Sequence, residues 1–224
     1  MARLPKPDAT TAKASTRGRG RPSRISRDQL IEATLEMLAA DGLEPFSMAR
    51  LAARVDASPM ALYTYFSGRD ALLEAASETI FGQFEMGGST GGWEPAIRAW
   101  LDGLEHLFRR WPVALKLIKW DEQLVPACVR IWLPMAHILR EAGLRGERLA
   151  FATSWFGDMA MSLMVGQFRA PTCLVTDAFL GEIPPQERAL AQELLDHADT
   201  DRRRAIFEHG VDATIAALRA LIEE

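Results

Sequence analysis

A chain of 224 residues, 48% hydrophobic and 25% charged, can bury a substantial core and has the balance of an ordinary globular protein. Its longest uncharged apolar run, Met159 to Phe168, is about half of what a bilayer span requires, and two cysteines, Cys128 and Cys173, are too few for a disulfide framework. The formal net charge of −4 is unevenly placed: eight basic residues against Asp8 alone give residues 1–27 a charge of +7, leaving −11 for the remainder. The basic start has no apolar h-region, so it is not read as a secretory signal, and a cytoplasmic protein with reduced thiols is expected.

Residues 1–24 are rich in Pro, Ala, Thr, Gly and Arg and are expected to form a disordered basic arm. Order is expected from Ser26, an N-cap with Gln29 in the capping-box position, followed by Leu30, Thr34, Leu35 and Leu38 at helical spacing and a stop at Gly42. Ser47 caps a short helix from Met48 to about Val55, with Phe46 placed to staple onto Leu51. "DAS" (Asp56–Ser58) is a tight turn in which Asp56 can take the left-handed conformation. Ser58 caps the next helix with Pro59 at its first position, and Ser67 caps a longer one with Asp70 in the box position. The glycine-rich stretch Gly87–Gly92 is the candidate domain boundary. Beyond it the periodicity predicts helices over Glu94–Arg110, Val113–Trp120, Glu122–Ala142, Glu147–Phe168, Gln186–His197 and Arg202–Ile222, with a long loop over Arg169–Pro185. No strand pattern occurs, so the fold class is all-α. Residues 25–86 are expected to be a three-helix helix-turn-helix domain with its supporting helix, and residues 93–224 a larger C-terminal helical domain.

Helix, three-residue turn, helix is the geometry that sets a short second helix in the DNA major groove. In "SPMALYTYF" (Ser58–Phe66), Ala61, Leu62 and Phe66 are expected to face inward, leaving Met60, Tyr63, Thr64 and Tyr65 mainly outside. Exposed tyrosines and a methionine suit a covering surface: Tyr hydroxyls reach phosphates and apolar groups meet thymine methyls. The stretch from Ser26 to Leu73 resembles the DNA-binding domain of TetR-family transcriptional regulators. Ser47, Leu51, Ala52, Ser58, Leu62, Tyr63, Phe66, Arg69 and Leu72–Leu73 carry the likeness, and "SPMALYTYF" lies closest to the family's recognition helix. The resemblance implies that Arg69 contacts phosphate and that Tyr63 and Tyr65 touch the DNA backbone or bases. Met60, where a smaller residue is commoner, is a candidate thymine-methyl contact. Asp56 stands where the family usually has glycine, Ala57 where it has valine, and Val55 where a smaller residue is common.

Residues 28–70 hold seven acidic groups against Arg50, Arg54 and Arg69, a net of −4. A DNA-binding module that is itself acidic needs phosphate attraction from elsewhere, and the arm supplies it through Arg17, Arg19, Arg21 and Arg24. "RGRP" (Arg19–Pro22) also resembles an AT-hook core, whose arginines favour narrow minor grooves. The expected DNA-binding set is therefore Arg17, Arg19, Arg21, Arg24, Ser47, Ser58, Pro59, Met60, Tyr63, Thr64, Tyr65 and Arg69.

The segment "RLAFATSWFGDMAMSLMVGQF" (Arg148–Phe168) is apolar on nearly all sides, as a helix covered from two directions would be. The last helix carries Gly210, Ala213 and Ala217 as a small-residue stripe. Helices 147–168 and 202–222 are the expected homodimer interface, and the resemblance implies the same four-helix arrangement. Trp100, Phe108, Trp111, Trp120, Trp132, Met135, Trp155 and Met159 suit either a simple core or a pocket for bulky apolar ligands. The resemblance favours a small-molecule pocket, with His106, His137, Gln123, Asp158 and Ser162 as available polar groups. Catalytic motifs and metal-ligand spacings are absent from the sequence, and no cofactor is expected. The reading is a homodimeric repressor released from a palindromic double-stranded DNA operator by a small hydrophobic effector. The alternative is an arginine-armed architectural DNA-binding protein without effector control.

Overall fold

The computed structural model describes residues 25–118, 126–168, 181, 183–196 and 201–223. The arm, Trp120, Gln123 and most of the loop expected over 169–185 lie outside them. Among the described residues the chain is helical, without strands: α1 (Arg27–Asp41), α2 (Met48–Arg54), α3 (Pro59–Leu62), α4 (Arg69–Phe81), α5 (Trp93–Arg110), α6 (Ala114–Leu117), α7 (Pro126–Glu141), α8 (Gly146–Phe168), α9 (Pro185–Asp196) and α10 (Asp201–Glu223).

The first three helices begin where their caps dictate. Ser26 Oγ accepts from the Gln29 amide and the Gln29 side chain accepts from the Ser26 amide, closing both halves of a capping box. Ser47 and Ser58 accept from the Arg50 and Ala61 amides in the same way. Asp56 turns the chain between α2 and α3 at φ 51°, left-handed as its place in the turn requires.

Three boundaries differ from the sequence reading. α4 begins at Arg69 with Gly68 at its N-cap and no side-chain cap, so Ser67 does not cap it. Its start is fixed from outside instead, since the Arg69 guanidinium donates to the carbonyls of Phe46 and Leu43. α3 spans four residues, because the amides of Thr64 and Tyr65 donate three residues back, to Ala61 and Leu62, and the chain tightens into turns. α6 covers Ala114–Leu117, with Ile118 already extended, rather than running from Val113 to Trp120.

One apolar core runs from Leu30 in α1 to Leu218 in α10. At its C-terminal centre Trp100 is fully buried, its indole N–H donating to the Ile131 carbonyl at 2.8 Å. Its ring lies 5.3 Å from Trp132 and 5.5 Å from Phe156, joining α5, α7 and α8. α10 packs along α8 and is tied to α5 through Glu105, a buried carboxylate held by Arg204 at 2.8 and 3.0 Å and by Arg109 at 2.5 Å. Two guanidinium groups on one buried acid leave no uncompensated charge there.

Two helical glycines mark close approaches. A Cβ at Gly103 would overlap the Glu85 carbonyl oxygen, and one at Gly210 would overlap Leu163 Cδ2. Gly210 thus admits α8 of its own chain, while Ala213 beside it is exposed. Glycine to alanine inside a helix ordinarily stabilises by about 1 kcal/mol. At Gly103 the obstacle is backbone, so Gly103→Ala should reverse the sign and cost about 1–3 kcal/mol in urea unfolding. At Gly210 the obstacle is a side-chain end that can rotate, so Gly210→Ala should cost less; a stabilised Gly103→Ala would contradict this packing.

Candidate nucleic-acid interface

α3 has only four residues and could not persist alone, since a first helical turn is unfavourable until something packs on it. Leu62 and Phe66 supply that packing, at 1% and 4% exposure, against a core that includes Leu30, Leu51 and Leu72. Locking those two residues inward leaves the other side of the segment outside. Met60 is 74% exposed and Tyr63 48%, with Pro59 and Thr64 also exposed. Ser58 lies at the helix start, exposed, and Ser47 is half-buried at the start of α2. The Thr64 hydroxyl donates to the Ala61 carbonyl at 2.6 Å.

Tyr65 departs from the expected outward placement. It is half-buried against the core, and its hydroxyl donates to the carbonyl of Ile25, the residue before the Ser26 cap. Where the arm joins α1, the chain is therefore pinned to the α3 segment. The cause is a contact spanning 40 positions, which no local pattern reveals.

The charge arrangement is unusual for a surface meeting a polyanion. Residues 25–86 contain no lysine, and each of their four arginines is engaged within the module. Arg50 pairs with Asp41 at 2.7 Å and donates to the Pro45 carbonyl, and Arg54 pairs with Glu36 at 2.6 Å. Arg69 is held by two carbonyls, and Arg27 lies 4.9 Å over the Phe66 ring. Arg27 was outside the sequence-derived site set. The ion pairs are half-exposed and each is worth about 0–1 kcal/mol, so a phosphate could displace a carboxylate, but the surface starts out neutralised. Arg17, Arg19, Arg21 and Arg24 lie outside the described residues.

The residues expected to line a ligand pocket separate into two groups. Trp100, Phe108 and Met135 are sealed in the core, and Phe108 packs 6.4 Å from Phe168. Trp132, Trp155 and Met159 are half-buried, as is Trp111, whose indole N–H donates to Gln83 at 3.1 Å. His106, His137, Asp158 and Ser162 are exposed. On α8 the large hydrophobic side chain most exposed is Phe151, at 57%. No helix among the described residues is long and apolar enough to cross a membrane.

The family model described as "Bacterial regulatory proteins, tetR family" matches residues 30–76, the span from α1 through most of α4. The HTH-type transcriptional repressor DrrR1 of Streptomyces coeruleorubidus is 28% identical over 184 residues, covering 76% of this chain and 68% of that one. Among solved structures, the TetR family protein ActR of Streptomyces coelicolor in complex with actinorhodin superposes with a TM-score of 0.70 at 23% identity. That match covers 89% of this chain and 99% of ActR. BioQ with its natural double-stranded DNA operator superposes at 0.63 and 17% identity, covering 88% and 99%. At these identities the structural likenesses carry the fold.

The Tyr65 anchor makes a testable distinction between the two tyrosines. Tyr65→Phe should lower unfolding stability by about 1 kcal/mol, the net worth of one hydrogen bond, whereas Tyr63→Phe should leave stability unchanged. Equal effects in urea titrations would contradict the inward placement of the Tyr65 hydroxyl.

Proposed function

Since the chain belongs to the tetR family of bacterial regulatory proteins, we propose that it is a homodimeric repressor that holds a palindromic operator and is released by a small hydrophobic effector. Residues 25–86 form the DNA-binding unit in this reading, and residues 93–224 hold the effector and the partner subunit. The observation that carries it is the outward set Met60, Tyr63 and Thr64 on a segment whose other side is locked by Leu62 and Phe66. Two tyrosine- and methionine-bearing segments, one per subunit, would enter successive major grooves at two-fold-related half-sites. Ser47 and Ser58 keep a free hydroxyl proton beyond their capping role and can donate it to phosphate. Arg69, already oriented by the Phe46 and Leu43 carbonyls, presents its remaining donors beside them.

The arm completes this assignment. With the module's own arginines engaged, Arg17, Arg19, Arg21 and Arg24 are the cations best able to release counterions from the duplex, and Tyr65 holds the root from which they extend. Repression is supported by the name of the DrrR1 relative, and a ligand of bulky apolar kind by the ActR–actinorhodin complex. α8 supports the dimer: Phe151 is exposed and Trp155 and Met159 are half-covered, an apolar face for a second copy to close. Effector control follows if the ligand prefers one spacing of the two DNA-binding units, and only to the extent of that preference.

Two measurements on a duplex enriched by the wild-type protein test the DNA-contact assignment. Tyr63→Ala should weaken binding by about 1–3 kcal/mol if the side chain makes a specific contact, and unchanged affinity would remove it from the interface. Replacing Arg19 and Arg21 with alanine should flatten the dependence of log affinity on log salt by roughly one unit each. An unaltered slope would reduce the arm to a solubilising tail.

A further inference from the structure

The short segment around α6 grips the DNA-binding unit at two places. Just before α6, the Trp111 indole N–H donates to Gln83, beyond the C-terminal end of α4. At the other end of the segment, Lys116 Nζ lies 2.6 Å from Glu44 Oε1. Glu44 belongs to the loop between α1 and α2, residues 42–47, three of whose carbonyls hold two other side chains. Leu43 and Phe46 carbonyls accept from Arg69 at the start of α4, and the Pro45 carbonyl accepts from Arg50 in α2. That loop ends at Ser47, the cap of α2. Between the two grips Val113 and Ala114 are buried, and α6 packs on α4. The segment cannot slide along α4 without parting Trp111 from Gln83 or moving the loop. Lys116 also leaves its mark on Glu44: its hydrogen bond, together with a backbone hydrogen bond of Glu44 and the ammonium charge, holds the carboxyl below the usual carboxylate range.

We propose that Lys116 and Glu44 are positioning residues for DNA binding: their ion pair fixes the α1–α2 loop, and through it Ser47 and Arg69, in the arrangement presented to DNA. This rests on the regulator reading above and adds a direct tie from the C-terminal helices to the loop, separate from the packing of α6 on α4. An exposed ion pair contributes little to stability. Its effect lies in where it holds the loop, so DNA discrimination is the quantity to read. A ligand that shifts α6 acts through the pair to the degree that the pair differs between the two states.

The test uses the full-length protein and a duplex enriched by wild type from a random library, with a scrambled duplex of the same composition as reference. The affinity ratio between the two cancels the general effect of altered charge. Wild type, Glu44→Gln, Lys116→Met and the double variant form a cycle. Each single change should lower the ratio by about threefold, the scale of an exposed ion pair, and the double change should lower it no further. Thermal midpoints should stay together, because nothing buried is altered. Singles that keep the wild-type ratio, or a double variant whose loss is the product of the two, would overturn the proposal. A wild type that prefers no duplex would bring down the regulator reading itself, whereas wild-type preference with a multiplicative cycle brings down the positioning role alone.

Discussion

Leu30, Leu51, Leu62 and Leu72, one from each of the first four helices, are sealed from solvent in one core, at 0–1% exposure. The outward surface of the α3 segment depends on this packing. A helix of seven residues and another of four cannot stand by propensity alone, because nucleation costs more than so few hydrogen bonds return. α1 and α4 are long enough to provide a platform, and burial of Leu51, Leu62 and Phe66 against it fixes where Met60 and Tyr63 emerge. The serine caps then settle where each short helix starts. What this surface presents is a consequence of what has been locked on the other side.

Electrostatics adds a second constraint. The folded module neutralises its own arginines with Asp41, Glu36 and backbone carbonyls, which helps a small acidic unit pack but leaves it without ready attraction for phosphate. In the proposed reading, placing the positive charge in a preceding arm separates folding from DNA attraction. The same reading makes affinity sensitive to salt in proportion to the arm arginines engaged. The Tyr65–Ile25 bond joins the two arrangements by setting where the arm leaves the folded unit.

Features set by neighbouring residues were legible in the sequence. The capping box at Ser26, the caps at Ser47 and Ser58, the stop at Gly42 and the left-handed Asp56 all follow from interactions within a few positions. The inward places of Leu62 and Phe66 followed from helical spacing. The misread features are those decided at a distance. Arg69 reaches a loop 23 positions earlier and sets the start of α4, which displaced the expected Ser67 cap. Tyr65 turns inward to a carbonyl 40 positions away. Aromatic richness over α5–α8 likewise could not separate core from pocket, because Trp100 and Trp132 differ in burial and not in chemistry.

The central claim is that two copies of the α2–α3 unit read a two-fold-related DNA sequence. Selection from a random duplex library with the full-length protein, followed by the mass of the complex on the winning duplex, tests it most directly. The account predicts a palindromic winner with half-sites about one or two helical turns apart, bound by one or two dimers. Enrichment of A·T-rich tracts without symmetry, or binding by single chains, would contradict it and leave the arm as the principal DNA-binding element.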